Sequence, residues 1–352
     1  MKHILSLSDS DLDGFLKSIG EKPYRRRQIY DWIFKKGARD FGAMANLSAA
    51  FRRQLGEHFT VTSLEHAPLQ VSSDGTVRID MAASDGVSFP AVILKGAREG
   101  ALSVCISSQA GCAVGCAFCA SGEGLKRNLT RGEIAETFLA AGDYVARCGG
   151  ERNKITSVLF MGQGEPLLNY ESVAGAISDI SSPDKSALGQ RHITLSTVGI
   201  ITGIRRLAAD GFKVRLAVSL HAADDDLRKK LIPRAASKVA TLLEAARDYA
   251  VSSGTRLTFE CVMIKGVTDT PKRLEELALI LLRFISERAA FVVNLIPFNE
   301  NSRAASEASY FRAPDGKDLE AARDYLVSRG IFTIIRSNKG RDISSACGQL
   351  GV

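Results

Sequence analysis

From residue 101 onward, short apolar runs alternate with longer amphipathic ones, and no other feature of the 352-residue chain restricts its fold as much. The strand-like runs are Ser103–Ser107, Ser157–Met161, His192–Ser196, Val214–Leu220, Leu257–Met263 and Phe291–Ile296. Between and after them, Arg131–Arg147, Tyr170–Ile180, Ile200–Ala209, Val239–Val251 and Pro271–Glu287 show helical spacing. Six strands joined by crossover helices predict a parallel sheet. Right-handed crossovers curl such a sheet into a partial (β/α)6, TIM-like barrel. Asp315–Ser328 reads as a further helix and Phe332–Ile335 as a closing strand. The expected fold class is α/β, with the barrel spanning 101–352.

Two smaller units precede it. Residues 1–60 read as a helical domain, with apolar spacing in Leu12, Phe15 and Leu16 and again in Ile29, Trp32, Ile33 and Phe34. Ser48 is a candidate N-cap for a third helix through Phe51 and Leu55. Residues 61–100 form a β-hairpin connector, its strands Thr76–Met81 and Phe89–Leu94 flanking Ser84-Asp85-Gly86. Cations crowd the helical domain: Lys22, Arg25, Arg26, Arg27, Lys35, Lys36, Arg39, Arg52 and Arg53. They form either a solvated face or a surface that neutralises phosphates. The chain balance of 46 − 39 = +7 permits a nucleic-acid partner without demanding one.

No stretch reaches the ~20 apolar residues that span a bilayer, and the first residues lack a secretory pattern. A cytoplasmic, reducing location is expected. The seven cysteines are odd in number, so they cannot all be paired.

Three of them, Cys112, Cys116 and Cys119, sit in a C-x3-C-x2-C run just after the first barrel strand. Three thiolates on one short loop suit a 4Fe–4S cluster whose fourth iron keeps an open position. Gly111, Ala113, Gly115 and Ala117 let the loop wrap tightly. The alternatives are reduced structural thiols, or a zinc site completed by His192 or His221; no second C-x2-C pair accompanies them.

The second strand runs into Met161-Gly162-Gln163-Gly164-Glu165-Pro166. Its glycines allow backbone to approach a ligand, and Glu165 offers an acceptor for an ammonium. Ser196 and Thr197 end the third strand, Ser219, Leu220 and His221 the fourth, and Asn299 follows the sixth. These are the places where barrels gather ligand-binding groups. Singly, each reads as a helix cap or a structural side chain; their convergence carries the reading.

Of the remaining cysteines, Cys105 lies on the first strand and Cys347 lies in a Gly- and Ser-containing segment that is not easily buried. Two such thiols can act as a covalent carrier and its resolving partner. Cys148 and Cys261 read as structural.

The cysteine loop, its place after the first strand and the six-strand pattern resemble the radical S-adenosylmethionine enzymes. The runs Ser107–Cys112, Arg127–Leu129, Gly162–Leu167, Thr194–Thr197, Ser219–Ala222, Asn294–Phe298 and Ala346–Leu350 resemble the RlmN/Cfr branch in particular. Gly20–Arg25, Gln28-Ile29 and Trp32-Ile33 resemble the helical RNA-binding domain of that branch. The likeness covers nearly the whole chain.

By that resemblance the chain is a methyltransferase acting on a ring carbon of adenosine in ribosomal RNA and, in some members, transfer RNA. Cys112, Cys116 and Cys119 would hold the cluster. Gly164, Glu165, Ser196, Ser219, Leu220, His221 and Asn299 would contact S-adenosylmethionine. Cys347 would become S-methylated, a radical formed on that methyl would add to adenine, and Cys105 would release the product through a transient disulfide. The target base would leave its stack to enter the pocket. A reducing donor such as flavodoxin and a monomeric state are expected. The other reading is an enzyme of the same fold with a non-RNA acceptor. One departure favours it: Pro90 stands where the family carries a proton-accepting glutamate, and Glu99 is the nearby candidate replacement.

Overall fold

The computed structural model describes residues 1–96, 98–148, 154–235, 237–285, 289–300 and 311–351. Its main sheet keeps sequence order from one edge to the other. β1 (Leu64–His66), β2 (Val77–Ala83) and β3 (Ser88–Lys95) run antiparallel and join directly to β4 (Ala101–Cys105). From β4 the pairing turns parallel through β5 (Lys154–Phe160), β6 (Ile193–Thr197), β7 (Arg215–Ser219), β8 (Leu257–Met263), β9 (Phe291–Pro297) and β10 (Thr333–Ile335). The hairpin is thus the antiparallel continuation of the barrel sheet.

Helices connect the parallel strands. α4 (Arg131–Cys148) precedes β5, α5 (Tyr170–Ser181) precedes β6, and α6 (Ile201–Ala209) precedes β7. α7 (Asp225–Leu231) and α8 (Val239–Ser253) precede β8, α9 (Pro271–Ile285) follows it, and α10 (Gly316–Ser328) precedes β10. With helices outside and a packed lumen inside, strands such as β8 are almost wholly buried, hence their continuous apolar runs.

Three features differ from the sequence reading. β10 is an edge strand beside β9, and the sheet path ends there. The strip between β10 and β4 is occupied by the segment after Ile335, whose Leu350 packs against Val92 and Cys105. α7 has too few turns to show periodicity, yet Asp224 caps it by accepting from the Leu227 N–H at 2.8 Å. Gln109–Gly111 and Leu125–Asn128 form a short antiparallel ribbon that frames the cysteine loop.

The N-terminal helices are α1 (Asp9–Ser18), α2 (Tyr24–Tyr30) and α3 (Ala49–His58). Ser8 and Asp11 form a capping box on α1, and Ser48 caps α3. Leu12, Leu16, Ile29, Ile33, Phe51 and Leu55 share one contiguous core with Ile134, Ala135 and Phe138 of α4. Polar ties reinforce the junction. Glu136 of α4 accepts from the Ser63 and Leu64 amides and faces His3 at 3.2 Å. Buried Lys185 bonds Asp179 and Asp9 with its ammonium over the Tyr30 ring. Many of the domain's cations are engaged within the fold: Arg25 with Glu21, Arg26 with Asp9 and Asp13, Lys35 and Lys36 with Asp31, and Arg39 with Asp143. Such partly exposed pairs contribute little each to stability.

Candidate active site

The cysteine loop begins where Gly111 turns left-handed, at φ 75°. A Cβ there would lie 1.9 Å from the Gly124 carbonyl oxygen, so no side chain fits. The loop brings Cys112, Cys116 and Cys119 to the wall of a cavity of about 170 Å³ at the C-terminal ends of the strands. The Val114 amide donates to Cys112 Sγ at 3.5 Å, a contact that suits a thiolate ligand. Burial pushes the free Cys112 thiol up to about 11, a penalty that metal ligation removes. Among the described residues, no three His, Cys, Asp or Glu side chains crowd onto a single ion position. Of the zinc alternative's two histidines, His192 is exposed and lines neither cavity, and His221 uses Nδ1 to accept the Val262 N–H at 3.0 Å. The donor set and its spread therefore fit a 4Fe–4S cluster.

Gly164, Glu165, Ser196, Ser219 and His221 line the same cavity. Gly162 and Gly164 both line this cavity and have a second task as well. A Cβ at Gly162 would lie 2.7 Å from the Ser107 N, and one at Gly164 would lie 2.6 Å from Gln109 Cβ. They let the turn press against the strand that feeds the cysteine loop. The Glu165 carboxylate accepts from the Leu167 and Val198 amides at 3.0 and 2.8 Å. Burial raises its pKa to about 7; a carboxylate keeps lone pairs for an ammonium beyond those bonds. His221 is held at φ 60°, and burial drives its pKa down to about 3, so the ring is neutral.

Leu220 and Asn299 stand next to lining residues of this cavity, Leu220 between Ser219 and His221 and Asn299 against Cys347. The Leu220 side chain is fully buried in the core. Asn299 donates from Nδ2 to the Cys347 carbonyl at 3.0 Å, so it holds the cysteine-bearing segment.

A second cavity, of about 390 Å³, opens sideways between β4 and β10. Cys105, Lys95, Arg336 and Lys339 line it. Cys347 lines both cavities, as do Met161, Ile296 and Arg336. Burial pushes Cys105 up to about 12; the Cys347 side chain reaches solvent, and desolvation by the surrounding wall together with Glu260 still raises its pKa. Pro90 is buried on β3, opposite Asp80 and beyond the point where β3 pairs with β4, so its missing N–H breaks no bond to β4. Glu99 is exposed and lines neither cavity, which removes it as the substitute carboxylate. Cys261 is buried as expected, but Cys148 is exposed at the end of α4.

Sequence reasoning missed two residues. Arg228 of α7 is fully buried, and its guanidinium donates to the carbonyls of Val198, Leu220 and Ser219. It thereby ties together the strand ends that line the cofactor cavity. Its signal is the Asp224 cap four residues earlier. Glu260 lines the cofactor cavity from β8, with Asn294 Nδ2 donating to Oε1 at 2.9 Å; burial raises its pKa. A lone glutamate inside an apolar strand was the available clue.

A model of the ribosomal RNA large subunit methyltransferase N-terminal domain matches residues 2–61, and the radical SAM superfamily model matches residues 106–278. A probable dual-specificity RNA methyltransferase RlmN of Endomicrobium trichonymphae is 38% identical, with 99% of this chain and 97% of that protein covered. The chain belongs to the RlmN family of radical S-adenosylmethionine methyltransferases. The dual-specificity RNA methyltransferase RlmN of Anaeromyxobacter dehalogenans is 40% identical over 98% of this chain and 90% of its own length. A radical SAM methyltransferase crystal structure from Sphaerobacter thermophilus superposes with a TM-score of 0.90 at 36% identity, covering 99% of both chains. The α/β barrel, the cluster and the S-adenosylmethionine cofactor are those of this family. No described helix is long and apolar enough to cross a membrane.

Proposed function

We propose that this chain methylates a ring carbon of adenosine in ribosomal RNA, and in transfer RNA, by way of a methyl group carried on Cys347. The observation that carries the reading is the position of Cys347 on the wall shared by the two cavities. One cavity holds the thiols and Glu165 that suit the cluster and cofactor. The other holds Cys105 and a cationic rim that suits a nucleotide. A group that must collect from one and deliver to the other belongs on their common wall.

When bound, the cluster and S-adenosylmethionine supply a methyl cation equivalent and a one-electron hydrogen abstraction. Cys112, Cys116 and Cys119 would hold the cluster, and Glu165 would bind the cofactor's ammonium. The Cys347 sulfur is the nucleophile that takes the methyl, because an aromatic C–H carbon is too weak a nucleophile for direct transfer. The Cys105 thiolate then attacks Cys347 sulfur, forming the S–S bond while the S–C bond breaks; the product carbon keeps that electron pair and takes a proton to become methyl, and an external dithiol reductant returns the disulfide to two thiols. With proline at position 90, we assign proton acceptance to Glu260, the one carboxylate besides Glu165 among the described residues lining either cavity. An external one-electron donor of the flavodoxin class completes the cycle, and we infer a monomer acting in the cytoplasm.

The test is digestion of ribosomal and transfer RNA from cells with and without the gene, followed by mass spectrometry. A methyladenosine that vanishes on deletion and returns with the wild-type chain is expected. Unchanged methyladenosine in both RNAs would overturn the RNA assignment in favour of a non-RNA acceptor.

A further inference from the structure

Four donors converge on the segment that carries Cys347. Asn299 Nδ2 donates to the Cys347 carbonyl at 3.0 Å. The Ala120 amide, one residue past the last cluster cysteine, donates to the Gly348 carbonyl at 2.8 Å. Ser121 Oγ and Gln163 Nε2 both donate to the Leu350 carbonyl, at 2.7 and 2.8 Å.

Gln163 does what the other three do not. Its Oε1 accepts from the Gly111 N–H at 2.9 Å, immediately before Cys112. Its own N–H donates to Ser107 Oγ at 3.0 Å, and its carbonyl accepts from the Ser108 amide at 2.8 Å. The side chain is 1% exposed, so water does not compete for these bonds. One planar amide therefore accepts from the cysteine loop, donates to the Cys347 segment and sits between the two glycines of the cofactor turn. A carboxamide accepts at one end and donates at the other at any pH. An ionised glutamate would set an oxygen against the Leu350 carbonyl, and an apolar side chain would leave the buried Gly111 N–H unpaired and the Leu350 carbonyl with Ser121 alone.

We propose that Gln163 is a positioning residue that holds the Cys347 segment in register with the cysteine loop and the cofactor turn. The proposal rests on the carrier role given to Cys347 above. Methyl collection and hydrogen abstraction both need the Cys347 sulfur placed against a cofactor bound from the other side of the cavity. A misplacement of about 1 Å costs on the order of 100-fold in such steps. Gln163 fixes the two sides through a single rigid group. Sliding one past the other would break a buried hydrogen bond that has no substitute.

Two variants test this. Gln163→Glu keeps the acceptor for Gly111 and loses the donor to Leu350. Ser121→Ala removes a tail-side bond and leaves Gln163 in place, so it carries the test should Gln163→Glu fail to fold. The first measurement needs no cluster: hydrogen exchange of the apo full-length chain should quicken at amides 346–351 in both variants. The second uses methyl-deuterated S-adenosylmethionine with the reconstituted enzyme and reads the fraction of 5′-deoxyadenosine that carries deuterium. That fraction should fall by about tenfold in Gln163→Glu, and by less in Ser121→Ala, because the segment no longer presents its methyl. A loss of fold stability alone would lower total product without moving this ratio. A deuterium fraction unchanged in both variants, despite faster exchange of the tail, overturns the proposal and leaves Gln163 an ordinary buried amide. Absence of any methyl on wild-type Cys347 overturns the carrier role itself, and this proposal with it.

Discussion

The two cavities share a wall but differ in almost everything else. The cofactor cavity is lined by three thiols of one loop, by Glu165 and Glu260, and by a neutral His221. The lateral cavity has lysines and an arginine at its rim, no carboxylate among its described lining residues, and one thiol of its own. Strand ends and their loops build the first, where barrels concentrate chemistry. The second exists because β10 does not reach β4, leaving a gap that the C-terminal segment only partly fills. An incomplete barrel thus gains a second cavity at its side, distinct from the one at the strand ends.

The sharpest way to break this division is Cys112→Ala. The cluster should be lost, read as iron and sulfide content. Activity should fall by more than about 100-fold, since even outer-shell changes at metal sites cost 10–100-fold. The next experiment pairs the two thiols of the lateral cavity. Cys347→Ala should still cleave S-adenosylmethionine but acquire no protein methyl and make no methylated RNA. Cys105→Ala should accept the methyl and accumulate a covalent protein–RNA adduct, visible as an RNA-dependent shift on a denaturing gel. If both variants behaved alike, the two cysteines would not divide the work between the cavities.

A smaller effect probes the cofactor cavity's frame. Arg228→Met removes a buried guanidinium from three carbonyls. The apo protein should lose about 3 kcal/mol in denaturant titration, as expected when buried acceptors lose a charged donor. The smallest effect is a pH dependence. His221 has its pKa lowered to about 3 by burial, against an ordinary value near 6.5. The unfolded chain therefore binds the proton more readily, so this contribution to stability is complete above about pH 6.5 and is lost as pH falls toward 3. Between pH 7.5 and 5.5 the loss is about 1 kcal/mol. His221→Asn, which tolerates the left-handed backbone and can still accept from Val262, should flatten that part of the apo stability profile.

The parallel strands were readable because each is long, apolar and bounded by turns; Leu257–Met263 matches to the residue. The cysteine loop was readable because its chemistry depends on spacing along the chain. What escaped depends on contacts across the chain. Asn299 stands after a strand where ligand contacts are common, and its amide also reaches Cys347, a partner 48 residues away. The packing task of Gly162 and Gly164 was hidden because the segment they press against is some 56 residues earlier and leaves no local mark. Lys22 to Arg53 read as one cationic cluster, but Asp9, Asp13, Glu21 and Asp31 of the same domain engage several of them, and Asp143, 104 residues away, engages Arg39.

The clasp on Cys347 grips only main-chain oxygens, those of Cys347, Gly348 and Leu350. With the backbone pinned and the sulfur on a shared wall, the route between cavities reduces to rotation about one Cα–Cβ bond. Such a bond has three staggered wells, and hops between them in a side chain open to solvent take picoseconds to nanoseconds. On the carrier role proposed above, the arm would be a single side chain in length.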